Sequence, residues 1–232
     1  MESEENIENN YTEVVFTEKK EDFTNRNMSG YILDMADFSG MNLEGINFYE
    51  SSLNHAKFLS SNLTNANIED CVMVGANFNK AILVGANLNN SDLNEANFIM
   101  ANLSNSNLSN AIMENTNFQG ANLEKANLSN ASLSHANITG ANVKNANLNS
   151  AYLKYTQLDN SDFSNSDLSN SFLMGGTLRM TNFTGAILKN VNFWGARLVN
   201  TNFKDADLSG ANFNEAMILD CNFDGAISYS KM

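Results

Sequence analysis

The sequence predicts an all-β solenoid, a chain wound into stacked square coils, and three regularities carry that prediction. Starting at Phe23 and stepping by five, all 41 positions through Phe223 are apolar, 21 of them Leu and 13 Phe. Twelve of the 13 glycines fall two residues after that apolar position. Of the 11 phenylalanines in this register with room for a partner, eight have another Phe twenty residues on, and only Phe23 has one fifteen residues on.

Each part of the five-residue unit has a physical reason. A period of five fits neither an α-helix nor a flat strand. It fits a short extended segment closed by a turn, repeated as in "ANLEKANLSNASLSHANITGANVKNANLNSAYL" from Ala121 to Leu153. A small residue stands two positions before the large one. In extended backbone these two point the same way, inward, and the residue between them points out. That outward position is Asn or Asp in 27 of the 41 units. The corner alternates chiefly between Gly and Asn, as at Gly40, Gly75, Asn65 and Asn110, because both tolerate a positive φ.

The number of sides follows from the phenylalanines, since packing along the axis rewards like on like. Phe38, Phe58, Phe78, Phe98 and Phe118 make one column, and Phe163, Phe183, Phe203 and Phe223 another. Twenty residues, four units, therefore make one coil. About ten coils at roughly 4.8 Å give a rod on the order of 50 Å long. Hydrogen bonds between coils and Asn amides stacked along the axis are expected to hold it. No insertion or deletion interrupts the phase.

Units such as "ANLSN", "ADLSG" and "ANFNE" resemble the A(D/N)LXX consensus of the pentapeptide-repeat family, across residues 21–225. The resemblance implies a right-handed quadrilateral β-helix. Its quinolone-resistance-type members imply a further role, imitating duplex DNA and acting on type II topoisomerases such as gyrase. Residues 23–232 carry 18 acidic and 11 basic side chains, a net of -7. A 50 Å duplex carries roughly 30 negative charges, so the mimicry is thin. The unbroken register leaves no place for enzyme-touching loops, and the small inward position is mostly Ala where resistance proteins often have Cys. The leading expectation is a non-catalytic scaffold or protein-binding module, with gyrase modulation as the alternative.

The domain reading is a leader at 1–20, a repeat body at 21–227 and a short tail at 228–232. The leader holds six acidic and two basic residues. Its first ten residues read as disordered, while Tyr11–Phe16 ("YTEVVF") is expected to cover the first coil. At the other end, coils around Phe213, Ile218 and Phe223 are expected to meet a second copy in a two-fold interface. The competing reading folds Tyr229 and Met232 over that end.

The outward Asn rule fails along one stripe, where Ile32, Val72, Ile112, Tyr152 and Phe172 recur at multiples of twenty. Tyr155, Met174 and Trp194 lie beside the later members. An apolar cluster on an amide-coated rod is a protein-binding surface in waiting, with Tyr152, Tyr155, Phe172, Met174 and Trp194 as its residues. Scattered tolerance of single exposed apolar residues is the competing explanation.

Little in the chain suggests catalysis. Cys71 and Cys221 hold the small inward position seven and a half coils apart, about 36 Å, too far to bridge. His55 and His135 lie four coils apart, about 19 Å, too far to share a metal. The acidic residues Glu69, Asp70, Asp159, Asp162 and Asp167 read as solvated surface. No phosphate loop, nucleophile elbow or ligand spacing occurs, and a self-filled interior leaves no pocket. The expectation is no enzyme, no cofactor and no metal. A net charge of -13 argues against direct binding to nucleic acid. Neither a spanning segment nor a secretory signal is visible, so a cytoplasmic protein without a membrane contact is expected.

Overall fold

The backbone turns at every fifth residue from 25 to 225, each with φ between 52° and 73°. This computed structural model describes residues 22–228, so the leader with Tyr11–Phe16 and the tail with Tyr229 and Met232 lie outside the described residues. Side chains as unlike as Met35, His55, Lys80 and Tyr155 adopt this left-handed conformation. β-Branched residues, which resist it most, occupy none of these corners.

Between corners the chain runs extended for one bridge only, which explains why five-residue units make so little formal strand. Bridges join each outward residue to the one twenty positions on, in four parallel ladders beginning at Asp22, Asn27, Ile32 and Asp37. Three main-chain bonds recur on every rung. The Phe78 N–H donates to the Asn97 carbonyl at 2.7 Å, the Gly75 N–H to the Asn94 carbonyl at 2.8 Å, and the Asn97 N–H back to the Ala76 carbonyl at 2.9 Å. A fourth closes the turn, from the Ala76 N–H to the Met73 carbonyl at 3.1 Å. In one place the extended run lengthens. Strands β1 (Arg197–Val199) and β2 (Met217–Leu219) pair in parallel with Leu198 opposite Ile218.

The large inward residues from Phe23 through Leu208 are all buried, together with their small partners at nearly every unit. Phenylalanines stack where the column expects them. Phe58–Phe78 and Phe78–Phe98 are both 4.7 Å apart with planes 2° from parallel. In the second column, Phe163–Phe183 and Phe183–Phe203 are 5.4 Å apart. These distances nearly match the rung spacing, so each ring lies flat on the next at no cost to the backbone.

Serine and threonine at the small inward position are satisfied in a uniform way. The hydroxyls of Ser51, Ser91, Thr116, Thr156, Ser166, Thr181 and Thr201 each donate to a carbonyl 23 residues back, on the preceding rung. The Leu93 carbonyl shows the logic. It accepts the Ala96 N–H and the Thr116 hydroxyl, both at 3.0 Å, and so uses both lone pairs. Ser61, Ser106 and Ser161 turn instead to the carbonyl three residues back. Ser171 is the exception. Its hydroxyl oxygen is buried without a partner, the only such side-chain atom among the described residues.

The expected amide stacking is present on two ladders and absent from a third. From Asn27 to Asn147 every Asn Nδ2 donates to the Oδ1 twenty residues earlier, at 2.9 to 3.4 Å. Asn122 and Asn142 do the same on the first ladder, to Asn102 and Asn122. On the fourth, Asn77, Asn97, Asn117 and Asn137 only accept the backbone N–H two residues on, closing their own turns.

Candidate functional site

The third ladder carries the apolar breaks in the outward Asn rule. Ile32, Val72 and Ile112 are exposed singly along its first part. Its later rungs gather aromatic side chains. Tyr152 lies on Phe172 with centroids 5.1 Å apart and planes 11° from parallel. One corner over, Tyr155 stacks on His135 at 5.2 Å and 22°. Tyr152, Tyr155 and Trp194 are 45–56% exposed, which makes this the most accessible aromatic surface of the described rod. Phe172 and Met174 are half-buried, less exposed than their outward places suggest, since neighbouring rungs cover them.

The ring of Tyr155 leans along the edge across Gly175, where an added Cβ would come within 2.6 Å of it. Above it the edge is bare, because nothing lies within 4 Å of the Cβ position at Gly195. The main-chain N–H of Trp194 is closed by Asn192 Oδ1 at 3.0 Å, which fixes where the indole leaves the backbone. Sequence reading weighed His135 only as a ligand partner for His55. Its part in a stack was visible in the twenty-residue offset to Tyr155.

The second cluster singled out from sequence behaves differently from the rest of the core. Phe213 and Phe223 are only half-buried, and Ile218 on β2 is 39% exposed, because no described rung overlies them. Met217, Leu219 and Ile227, which the five-residue register did not mark, are exposed beside them. Three carboxylates border this face, Glu215, Asp220 and Asp224, all outside the ion pairs of the described residues.

Elsewhere the charged groups are held by ordinary surface contacts. Lys144 reaches Asp162 at 3.2 Å and Lys189 reaches Asp207 at 3.3 Å. Asp162 is therefore less free than the sequence reading assumed. Burial pushes its carboxyl up, but bonds from Ser164 and Lys144 outweigh that and leave it below the usual range. The Ser209 hydroxyl and N–H, then Lys189, lower Asp207. Cys71 is buried, its Sγ lies 2.8 Å from the Phe48 carbonyl, and burial pushes the thiol up to about 12. Cys221 sits half-buried in the matching place, 3.3 Å from the Leu198 carbonyl. Among the described residues no cluster of His, Cys, Asp and Glu could hold a metal ion, and no helix is long and apolar enough to cross a membrane.

Comparison with known proteins agrees with this geometry. A family model described as pentapeptide repeats (8 copies) matches residues 32–70, 144–179, 175–205 and 195–227. A second, described as a pentapeptide repeat region, matches 61–138. No curated protein sequence is similar to the chain. Among solved structures, HetL is 24% identical, with a TM-score of 0.51 over 88% of this chain and 90% of its own. It is a pentapeptide repeat protein involved in heterocyst differentiation regulation, from the cyanobacterium Nostoc sp. strain PCC 7120. Rfr23 from the cyanobacterium Cyanothece 51142 is 33% identical over 39% of this chain and 63% of its own, with a TM-score of 0.39. QnrB1, a plasmid-mediated fluoroquinolone resistance protein, is 20% identical over 82% of this chain and 91% of its own, with a TM-score of 0.40. The likeness to HetL shows the fold, a right-handed β-helix.

Proposed function

The chain belongs to the pentapeptide-repeat family, and from that premise we propose that it is a non-catalytic scaffold, presenting a rod of about ten square coils to a protein partner in the cytoplasm. One observation carries the proposal. On a body coated with amides, Tyr152, Tyr155 and Trp194 are exposed together, backed by Phe172 and Met174. Aromatic clusters of this kind supply large, rigid contact area and are enriched where partners bind. A pull-down with the wild type and with a Tyr155→Ala, Trp194→Ala double variant tests it. A partner recovered by the first and lost by the second is the expected result, and equal recovery by both overturns the reading.

The exposed strand β2 favours a second contact, a two-fold pairing of copies around Phe213, Ile218 and Phe223. Met217, Ile218 and Leu219 are all exposed on it, and a strand edge is a template for another chain. Glu215, Asp220 and Asp224 of both copies would approach one another, so the pairing strengthens as salt screens them. Sedimentation at 50 and 500 mM salt is the test. A monomer at both, at micromolar concentration, removes the pairing.

Modulation of a type II topoisomerase such as gyrase is the alternative, favoured by the acidic rod and weakened by its net charge of -7 over residues 23–232. A gyrase supercoiling assay with a quinolone separates the two. Protection of the enzyme at sub-stoichiometric or equimolar protein would displace the scaffold reading.

A further inference from the structure

We infer that the edge beside the aromatic cluster is a docking trough for a short acidic segment of a protein partner. This rests on the binding-module reading above and adds the chemistry of what binds. The trough runs along the corner line from Tyr155 past Gly175 and Gly195. Two glycines in succession leave that line without side chains, and Tyr155 lies across its lower end. Met174 and Trp194 rise on one flank. On the other, Arg197 bridges directly to Thr177 on the rung below.

Charge is what selects the occupant. The chain as a whole is strongly negative, at -13. Yet Lys154, next to corner 155, and Arg197, on the ladder that follows corner 195, flank this line, and neither is in an ion pair among the described residues. Arg179 and Asp159 lie together at the far end of the adjacent side, where Asp159 Oδ1 accepts the Arg179 backbone N–H at 2.8 Å. Glu215 stands at the upper end, one rung above Gly195, and closes the trough to an acidic ligand there. The open length from the Tyr155 ring at corner 175 to corner 215 is two rungs, about 10 Å, which suits roughly three extended residues.

The rings add an apolar floor. Tyr155 stacks on His135 with one face, and Gly175 puts no side chain over the other, so the lower end of the trough is ring surface. A rod of this overall charge repels a polyanion such as nucleic acid. The indole N–H of Trp194 has no protein acceptor in the described structure and adds a donor for a carboxylate or main-chain carbonyl.

Trp194 is the only tryptophan in the chain, so its emission reports on the trough directly. Capped octapeptides of alternating Glu and Leu, Gln and Leu, and Lys and Leu are titrated into the full chain, with an oligothymidine of eight nucleotides as a further arm. The Glu–Leu peptide is expected to shift Trp194 emission saturably and to weaken as salt rises. A Lys154→Glu, Arg197→Glu variant, shown folded by its melting curve, should bind at least tenfold more weakly. A Lys125→Glu, Lys204→Glu control should bind as the wild type does. Equal binding of the Gln–Leu peptide overturns the acidic selection while leaving the aromatic surface standing. Preference for the Lys–Leu peptide or the oligothymidine, or no response to any probe, overturns the inference outright. Should the pull-down with the Tyr155 and Trp194 variant also show no loss, the surface reading falls with it.

Discussion

The same substitution made five residues apart should move stability in opposite directions. Ser166 and Ser171 occupy equivalent inward positions on successive units, both fully buried. The Ser166 hydroxyl donates to the Val143 carbonyl at 2.7 Å, while the Ser171 hydroxyl oxygen has no partner. Removing a satisfied hydroxyl loses a net hydrogen bond of about 0.5–1.5 kcal/mol. Removing an orphan relieves a desolvation penalty of about 1–3 kcal/mol. The volume change is the same in both, one oxygen, and alanine is already the commonest residue at this place. Ser166→Ala should therefore destabilise and Ser171→Ala stabilise. For a domain of this size each kcal/mol moves the melting temperature by about 2–4 °C. Parallel calorimetric melts of the two variants and the wild type are the assay. A Ser171→Ala melt as far below wild type as that of Ser166→Ala would refute the claim that these hydroxyls are anchored through a carbonyl on the preceding rung.

Three further outcomes are expected. Asn107→Ala breaks two ladder bonds, to Asn87 and from Asn127, each at 3.1 Å, whereas Asn117→Ala breaks none; urea midpoints should fall for the first by the equivalent of about 1–2 kcal/mol and for the second by distinctly less. Asp37, Asp162 and Asp207 have carboxyls below their ordinary value near 3.8. Their contribution is complete above that value and is lost as pH falls from it through the folded-state values, so melting temperature should hold steady from pH 7 to about 5 and drop below pH 4; a steady decline beginning at pH 6 would contradict this. With its thiol pushed up to about 12, Cys71 is thiolate in only ~1 molecule in 10,000 at pH 8. A disulfide reagent should find Cys221 in the native protein and Cys71 only after denaturation.

What the residues disclosed in advance was the repeat itself, because every unit obeys the same steric rule. Phe38 to Phe118 gave the twenty-residue offset that the bridges follow, and the corner residues gave the positive φ, since even Met35 and Tyr155 are held there. The amide ladders were only half legible. Asn107 and Asn117 hold the same place in the five-residue unit, yet only Asn107 bonds to the amides twenty residues away, and the unit alone does not tell the two apart. The aromatic cluster was readable by stepping in twenties, including the stack of His135 and Tyr155. The half-buried state of Phe172 and Met174 was not, since it comes from side chains one rung away. Nor was the cationic flank of the trough, because Lys154 and Arg197 are 43 positions apart and come to the two sides of one corner line only once the chain has been wound.

An uninterrupted offset of twenty between paired residues makes the molecule a ruler as well as a rod. Excising residues 121–140 would bring Asn102 opposite Asn142 with every corner, every inward pair and every carbonyl in phase. The splice would shorten the rod by one step of about 4.8 Å and carry the aromatic edge that much closer to the amino-terminal end. Excising fifteen or twenty-five residues instead would move that edge onto a neighbouring ladder. Length and facing can thus be set independently by choosing how many units to remove, and a partner that spans two places on the surface would read the difference.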